Sequence, residues 1–176
     1  IKWEELGING KQWPVKPDGT DTKILHIDSF KLGKGRFKNA DFQETVELVE
    51  HSAKYPYILT TNRNLEHYNA GTMTRRTRNS IILTEDYLMI NPADAEKNFI
   101  KDGDMVCVSS PRGKVDVRAR ITSDVKPGIL SSTFHFPEIN LNEITSDESD
   151  SEAMCPEYKV VAVDIRKSKG RFKAEG

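Results

Sequence analysis

Short apolar segments separated by polar turns run through the chain from residue 55 onward, and their spacing predicts strands. The clearest is 114–121, where apolar and polar residues alternate, so one face of the strand is expected to be buried. Its apolar positions are Val115, Val117, Ala119 and Ile121, and its polar positions are Asp116, Arg118 and Arg120. The other predicted strands cover 57–59, 87–90, 105–109, 129–136 and 158–165. Many short strands with frequent turns predict a mainly β fold, a small barrel.

One short helix interrupts this pattern. Asn91 is a good N-cap, Pro92 suits the first helical position, and Asp94 lies in the first turn. The helix is predicted to end near Asn98 and Phe99.

Residues 1–54 have a different composition, rich in Gly, Pro and Lys, and Tyr55-Pro56 is predicted to be their boundary with the barrel. Within them, 23–30 is a candidate short strand and 41–54 an acidic linker. The glycine-rich basic turn 30–37 has two interpretations, a phosphate cradle or a flexible loop; the loop is favoured, because no helix begins after it. The barrel domain is placed at 55–166 and a charged tail at 167–176.

Length, charge and hydropathy bear on the number of domains, the binding partners and the location of the protein. A chain of 176 residues accommodates one domain with an appendage. The formal net charge of -1 gives no reason to expect nucleic acid or an anionic membrane as partner. No apolar run approaches the length of a membrane-spanning helix, and no secretory signal is visible, so a cytoplasmic location is expected. A start at Ile1 fits a processed or excised fragment of a longer protein.

The two cysteines lack the spacing of a zinc or iron–sulfur site. Cys107 lies within a strand pattern and is interpreted as a small core residue. A disulfide with Cys155 remains an alternative, although reduced thiols are favoured. His135 lies in an aromatic run, where a single histidine is more often a satisfied core or rim residue than a catalyst.

Donors, acceptors and rings are concentrated just after the first strand, in the segment 60–74. Loops that leave a rigid scaffold commonly bind ligands, and the adjacent His67 and Tyr68 are bulky for a plain surface loop. Gly71 permits positive φ or a close backbone approach. A polar surface loop is the alternative interpretation.

Five motifs in this order resemble the C-terminal part of molybdopterin-dependent oxidoreductases, most closely the catalytic subunit of formate dehydrogenases. They are TTNRNLEHYNAGTMTRR (60–76), NPADA (91–95), GDMVCV (103–108), TFHFPEINLNEIT (133–145) and CPEYK (155–159). The resemblance implies a six-stranded double-psi β-barrel with short helices. It also implies that the barrel closes over a molybdopterin guanine dinucleotide cofactor that carries molybdenum or tungsten.

The resemblance further implies which residues bind this cofactor. The expected cofactor-binding residues are Thr61, Asn62, Arg63, Asn64, Leu65, Glu66, His67, Tyr68, Asn69, Ala70, Thr72, Thr74, Phe134, Asn142 and Lys159. Arg63 suits pyrophosphate or a pterin carbonyl, Asn142 offers a donor and an acceptor, and Lys159 offers a point charge. Surface alternatives exist for Arg63 (an ion pair) and Lys159 (exposure to solvent). Arg63, His67 and Asn142 are predicted to converge on one cleft.

In such enzymes the metal ligand, the catalytic residues and the iron–sulfur cysteines lie in preceding domains, so no catalytic residue and no metal ligand is expected in this chain. The expected function is closure of the bis-pterin site of a formate dehydrogenase that oxidises formate to carbon dioxide. The expected partners are the preceding domains of the same enzyme and formate. The resemblance also implies that residues 1–54 are a partly flexible connector from a preceding domain. The same domain of a nitrate reductase or related oxidoreductase is one alternative, and a non-catalytic barrel that binds a protein is another.

Overall fold

The computed structural model describes residues 1–37, 39, 41–150 and 153–168, and they fall into two compact units, Ile1–Phe42 and Gln43–Gly176. Most of the predicted tail, 169–176, lies outside the described residues. In the described part of the first unit, the 3-10 helix Trp3–Glu5 is the sole regular element and no residue is buried. The strand predicted over 23–30 is wrong: those residues form turns and bends that leave Ile24 and Ile27 exposed.

Six strands of the second unit close into a barrel. They are β1 (Tyr57–Thr61), β2 (Tyr87–Ile90), β3 (Met105–Ser109), β4 (Lys114–Ile121), β5 (Ile129–Ser132) and β6 (Val161–Lys167). Their order around the barrel is β1-β5-β2-β4-β3-β6. The helices α1 (Val46–His51), α2 (Asn79–Ile82) and α3 (Pro92–Lys97) are short. The expected mainly β fold and its six-stranded barrel are confirmed.

The pairing determines which segments share an end of the barrel. β1 runs parallel to β5 and β2 runs parallel to β4, whereas the other neighbours are antiparallel. The C-terminal ends of β1, β3 and β5 therefore meet the N-terminal ends of β2, β4 and β6, at what we call the upper end. The segments 62–86, 110–113 and 133–160 all connect strands at this end.

The alternation along β4 points one face into the barrel, as predicted. Val115, Val117 and Ala119 are buried, while Lys114 and Arg120 are exposed. Fully buried side chains from the other strands complete the core; they include Leu59, Leu88, Ile90, Val106, Leu130 and Val161. This packed interior gives the upper end a fixed base from which its loops emerge. Cys107 is buried and both cysteines are free, in agreement with the favoured interpretation.

Helix α3 begins and ends as the sequence predicts. The Asn91 side chain accepts a hydrogen bond from the Ala93 N–H (3.0 Å), and Pro92 occupies the first helical position. Asn91 also donates to the Val125 carbonyl (2.7 Å), so the same side chain attaches the helix to the next loop.

Helix α1 lies within the range expected to be linker, and a buried ion pair attaches it to the barrel. Glu47 is 1% exposed; its carboxylate accepts two hydrogen bonds from the Arg112 guanidinium (2.6 and 3.0 Å). It also accepts one from the Ala162 N–H of β6 (2.9 Å). The ordered second unit therefore starts before Tyr55, and the reason is a contact with Arg112, which lies 65 residues later.

The ionisation of Glu47 makes the stability of the barrel depend on pH. Burial alone raises the pKa of Glu47, but hydrogen bonds from Arg112 and Ala162 and the Arg112 charge outweigh it. The pKa therefore lies below its ordinary value of 4.5. A carboxyl group whose pKa is lower in the folded state than in the unfolded state stabilises the folded protein. This contribution is complete at pH values above the unfolded pKa, and it is lost as the pH falls through the folded pKa.

We therefore expect the free energy of unfolding to decrease as the pH is lowered below 4.5. Urea denaturation at a series of pH values between about 6 and about 3 would measure this slope. Glu47→Gln cannot ionise at this position, so its slope should be shallower than that of the unchanged chain. Equal slopes for the two proteins would contradict this assignment.

Candidate functional site

The segment that follows β1 at the upper end is held by a fully buried histidine, His135. The backbone N–H of Asn64 donates to His135 Nε2 (3.1 Å), and His135 Nδ1 lies at hydrogen-bond distance from the Asn69 carbonyl. Because Nε2 accepts, the proton of the neutral ring resides on Nδ1, which donates to Asn69. One imidazole thus fixes both ends of 64–69. The interpretation of His135 as a satisfied core residue is confirmed.

A second histidine, His67, organises the next part of the segment. His67 is 4% exposed, and its Nε2 lies 2.9 Å from the Leu83 carbonyl, which can only accept. Nε2 therefore carries the proton, and Nδ1 accepts from the Thr74 hydroxyl at 3.0 Å. Thr74 in turn accepts from the Tyr68 N–H (3.2 Å). Both ring nitrogens of His67 are thus occupied by protein partners.

The buried carboxylate of Asp86 binds the segment 133–136, which follows β5. It accepts hydrogen bonds from the N–H groups of His135 (3.2 Å) and Phe136 (3.0 Å) and from the Thr133 hydroxyl. The strand predicted over 129–136 ends at Ser132. Beyond it, the Thr133 hydroxyl and the amides of His135 and Phe136 bind the Asp86 side chain instead of a neighbouring strand.

Gly71 allows two segments to approach closely at this end. Its φ is +68°, and a Cβ built there would lie 2.6 Å from the His135 carbonyl oxygen and 2.6 Å from Arg75 Cδ. Only glycine fits this space in this conformation. Arg75 itself lies over the Phe136 ring at 4.7 Å and pairs with Glu138.

The predicted cofactor residues in 61–74 separate into two groups. Thr61 and His67 are buried, and Asn62, Asn64, Glu66 and Thr74 are half-buried. Arg63, Leu65, Tyr68, Asn69, Ala70 and Thr72 are exposed. The Arg63 guanidinium lies 5.7 Å from the centroid of the Tyr68 ring. Among the residues that the structure describes, Arg63 forms no ion pair, so its surface ion-pair alternative finds no partner there.

The remaining residues near β1 contribute to the framework. The Asn62 side chain donates to Ser131 Oγ (2.7 Å), and the Lys159 ammonium donates to the Thr61 carbonyl (2.7 Å). The half-buried Phe134 ring lies 6.0 Å from the His135 ring. Lys159 is exposed but is not a purely solvent-facing residue, since its charge lies at the end of β1.

Asn142 lies in the 3-10 helix Leu141–Ile144, which also belongs to the upper end, and its side chain is exposed. Arg112 donates to the Ile144 carbonyl (3.4 Å), and a Cβ on Gly113 would lie 2.8 Å from the Glu143 carbonyl oxygen. The pairing thus brings the segments of Arg63, His67 and Asn142 to one end of the barrel. Within the described ranges no hydrogen bond joins Asn142 to either of the others, and the shared cleft stays a prediction.

The exposed groups suit a pterin dinucleotide. Arg63 offers a forked cation for pyrophosphate, Asn69 and Asn142 offer amides for a heterocycle, and Tyr68 offers a ring face. For the residues described, no group of three or more His, Cys, Asp and Glu side chains could hold a metal ion. None of the helices in that same part of the chain has the length and hydrophobicity needed to cross a bilayer.

Asp86 belongs to this arrangement, although the sequence does not predict that role. Asp86 precedes β2 and binds residues 47 to 50 positions later, a pairing that no local pattern indicates. The sequence carries a weak signal for His135, a histidine between two phenylalanines.

Comparison with known proteins identifies the domain. Residues 57–162 match the family described as "Molydopterin dinucleotide binding domain". The alpha subunit of F420-dependent formate dehydrogenase from Methanocaldococcus jannaschii is 41% identical over 171 residues. That match covers 95% of this chain and 25% of the relative. The alpha subunit of F420-dependent formate dehydrogenase 2 from Methanococcus maripaludis is 41% identical over 172 residues, with the same coverage of both chains.

A more distant relative, the periplasmic nitrate reductase of Desulfovibrio desulfuricans, is 33% identical over 124 residues, which are 68% of this chain and 16% of that protein. The solved structure of acetylene hydratase from Pelobacter acetylenicus superposes with a TM-score of 0.60 at 14% identity. It covers 75% of this chain and 21% of that one, a likeness of fold. The chain spans about a quarter of the length of the formate dehydrogenase subunits that it matches. It belongs to the molydopterin dinucleotide binding domain family.

Proposed function

We propose that this chain is the C-terminal, cofactor-binding part of a molybdenum- or tungsten-dependent formate dehydrogenase, in which it closes the bis-pterin guanine dinucleotide site. The observation that carries the proposal is the 41% identity to formate dehydrogenase alpha subunits over 95% of the chain. The exposed donors at the upper end of the barrel support it, because they match the groups of a pterin dinucleotide.

In this proposal, Arg63 binds pyrophosphate or a pterin oxygen, Asn142 binds a pterin edge, and Tyr68 packs on a ring face. The remaining predicted residues form the wall of the site: Thr61, Asn62, Asn64, Leu65, Glu66, His67, Asn69, Ala70, Thr72, Thr74, Phe134 and Lys159. When bound, the cofactor supplies the metal and the redox chemistry for converting formate to carbon dioxide. The chain's own residues orient the cofactor and exclude water from one side of it.

The rest of the assembled enzyme belongs to the same proposal. Residues 1–54 connect the barrel at 55–166 to preceding domains, which contribute the metal ligand, the catalytic residues and an iron–sulfur cluster. The enzyme works in the cytoplasm, and the names of the two methanogen relatives support a dependence on F420. Nitrate reduction is the second candidate, but the nitrate reductase match has lower identity over less of the chain, which favours formate.

The test uses the full-length enzyme with Arg63→Ala and, separately, Asn142→Ala. We expect each to lower formate oxidation about tenfold or more, because a lost hydrogen bond to a charged or buried group costs about 1–3 kcal/mol. Guanine nucleotide released from the purified enzyme should fall in parallel. Arg166→Ala is the matched control for a lost exposed arginine, since Arg166 lies on β6, away from the upper end.

Two results would contradict the proposal. One is unchanged activity and unchanged nucleotide content in both variants. The other is an enzyme that turns over nitrate but not formate. The 176-residue chain alone is expected to oxidise no formate, since the metal ligand is assigned to other domains.

A further inference from the structure

His135 forms the connection between the barrel and the segment 64–69, which we call the cofactor loop. The Asn64 N–H donates to Nε2 at 3.1 Å, and the Asn69 carbonyl accepts from Nδ1–H. Each end of the cofactor loop thus contributes one backbone group, and the two groups use both nitrogens of one ring. Asn69 has a φ of +47°, so the chain turns sharply at the second attachment.

The imidazole itself cannot shift without moving the barrel. His135 is 0% exposed, and its backbone N–H is bound to Asp86, which is also 0% exposed. Its ring packs against those of Phe134 (6.0 Å) and His67 (5.7 Å). Its carbonyl oxygen lies where Gly71 leaves no space for a side chain. The His135 ring is therefore held in a fixed position close to the end of β5.

Between the two attachments the side chains of Leu65 and Tyr68 are exposed to a ligand, whereas His67 is buried. Leu65 is 102% exposed and Tyr68 is 57% exposed, while the backbone at either end is fixed to His135. A backbone held at two points loses conformational freedom before binding, which lowers the entropy cost of ordering it around a ligand.

We propose that His135 is a positioning residue: its neutral Nδ1–H ring holds both ends of the cofactor loop and so presents Leu65, Tyr68 and the neighbouring Arg63 to the cofactor. This inference rests on the proposed function for the identity of the ligand. The attachment of the loop to His135 rests on the two hydrogen bonds of the ring and does not depend on the proposed function.

Three substitutions in the full-length enzyme separate the two attachments. A glutamine amide reaches the position of Nε2, so His135→Gln keeps an acceptor for the Asn64 N–H and loses the donor to Asn69. An asparagine amide reaches the position of Nδ1, so His135→Asn keeps the donor to Asn69 and loses the acceptor. His135→Phe preserves the ring shape and loses both. His51→Gln on α1 is the control, since His51 lies outside this site.

The first measurement is amide-resolved hydrogen exchange. Exchange of the Asn64 amide should accelerate about tenfold in His135→Asn and His135→Phe, and much less in His135→Gln, which retains its acceptor. The second measurement is guanine nucleotide retained after gel filtration, relative to protein. Retention should be lowest in His135→Phe, intermediate in the two amide variants and unchanged in His51→Gln.

Equal Asn64 exchange in His135→Gln and His135→Asn would overturn the proposal, as would full nucleotide retention by His135→Phe. If His135→Phe does not fold, the comparison of the two amide variants still decides the outcome. If the enzyme without substitutions contains no guanine nucleotide, only the proposed function is contradicted. The exchange pattern of the variants would still test whether His135 holds the cofactor loop.

Discussion

Replacement of Glu47 by alanine is expected to lower the free energy of unfolding by about 3–5 kcal/mol, the cost of removing one partner from a buried ion pair. Glu47 is 1% exposed, and the Arg112 side chain is 22% exposed. Without Glu47, the Arg112 guanidinium loses two hydrogen bonds and its buried counter-charge, and among the described carboxylates only the exposed one of Asp147, at 4.0 Å, remains near it. The Ala162 N–H also loses its acceptor. Urea denaturation followed by circular dichroism measures the change.

Two further variants test the cause of this loss. Glu50→Ala removes an exposed carboxylate of the same helix, and its effect should stay within about 0.5 kcal/mol. Replacing Glu47 and Arg112 together by leucine should cost less than Glu47→Ala, because no buried charge then remains unpaired. A loss below about 1 kcal/mol in Glu47→Ala would show that the ion pair does not attach α1 to the barrel.

Asp86→Ala is expected to have the second large effect, a loss of about 3 kcal/mol or more, because it leaves the Thr133 hydroxyl and two backbone N–H groups buried without an acceptor. The loss should also loosen the cofactor loop, since His135 depends on Asp86 for its position. Urea denaturation gives the stability, and hydrogen exchange at 133–136 and 64–71 gives the local effect.

Asp86→Asn separates the effect of side-chain size from the effect of losing a carboxylate acceptor. It keeps the size of the side chain but turns an NH2 group toward at least one of the donors, so it should recover little of the lost stability. Asp124→Ala removes an exposed carboxylate at the other end of the barrel and should have almost no effect. Similar losses in Asp124→Ala and Asp86→Ala would contradict the role assigned to Asp86.

Local patterns were sufficient for much of the fold. The alternation of β4 identified its buried face, and Asn91 with Pro92 identified the start of α3, because these features depend on neighbours along the chain. Long-range partners were not predictable in the same way. Glu47 stands in a charged segment that suggests a linker, but its contact with the distant Arg112 shows otherwise. The strand that begins at Ile129 is shorter than predicted, and the amides of His135 and Phe136 bind Asp86 instead of extending it.

The candidate site was likewise predictable from the sequence only in part. The resemblance pointed to 61–74, and the barrel indeed places this segment at one end together with the segments of Phe134, Asn142 and Lys159. Which of these side chains face solvent could not be read from the sequence. Arg63 and His67 are four residues apart and both are polar, yet Arg63 is exposed and His67 is enclosed by Thr74 and Leu83.

The strand pairing also has a practical consequence for labelling the protein. The turns 101–104 and 122–128 connect strands at the end opposite the cofactor loop, and Ser123 and Asp124 are exposed there. A cysteine introduced at Ser123 would carry a fluorophore or a surface-attachment group away from the site, with the barrel wall as a rigid spacer. Cys107 is buried and therefore protected, whereas replacing the exposed Cys155 by serine would leave the introduced thiol as the reactive one among the described residues.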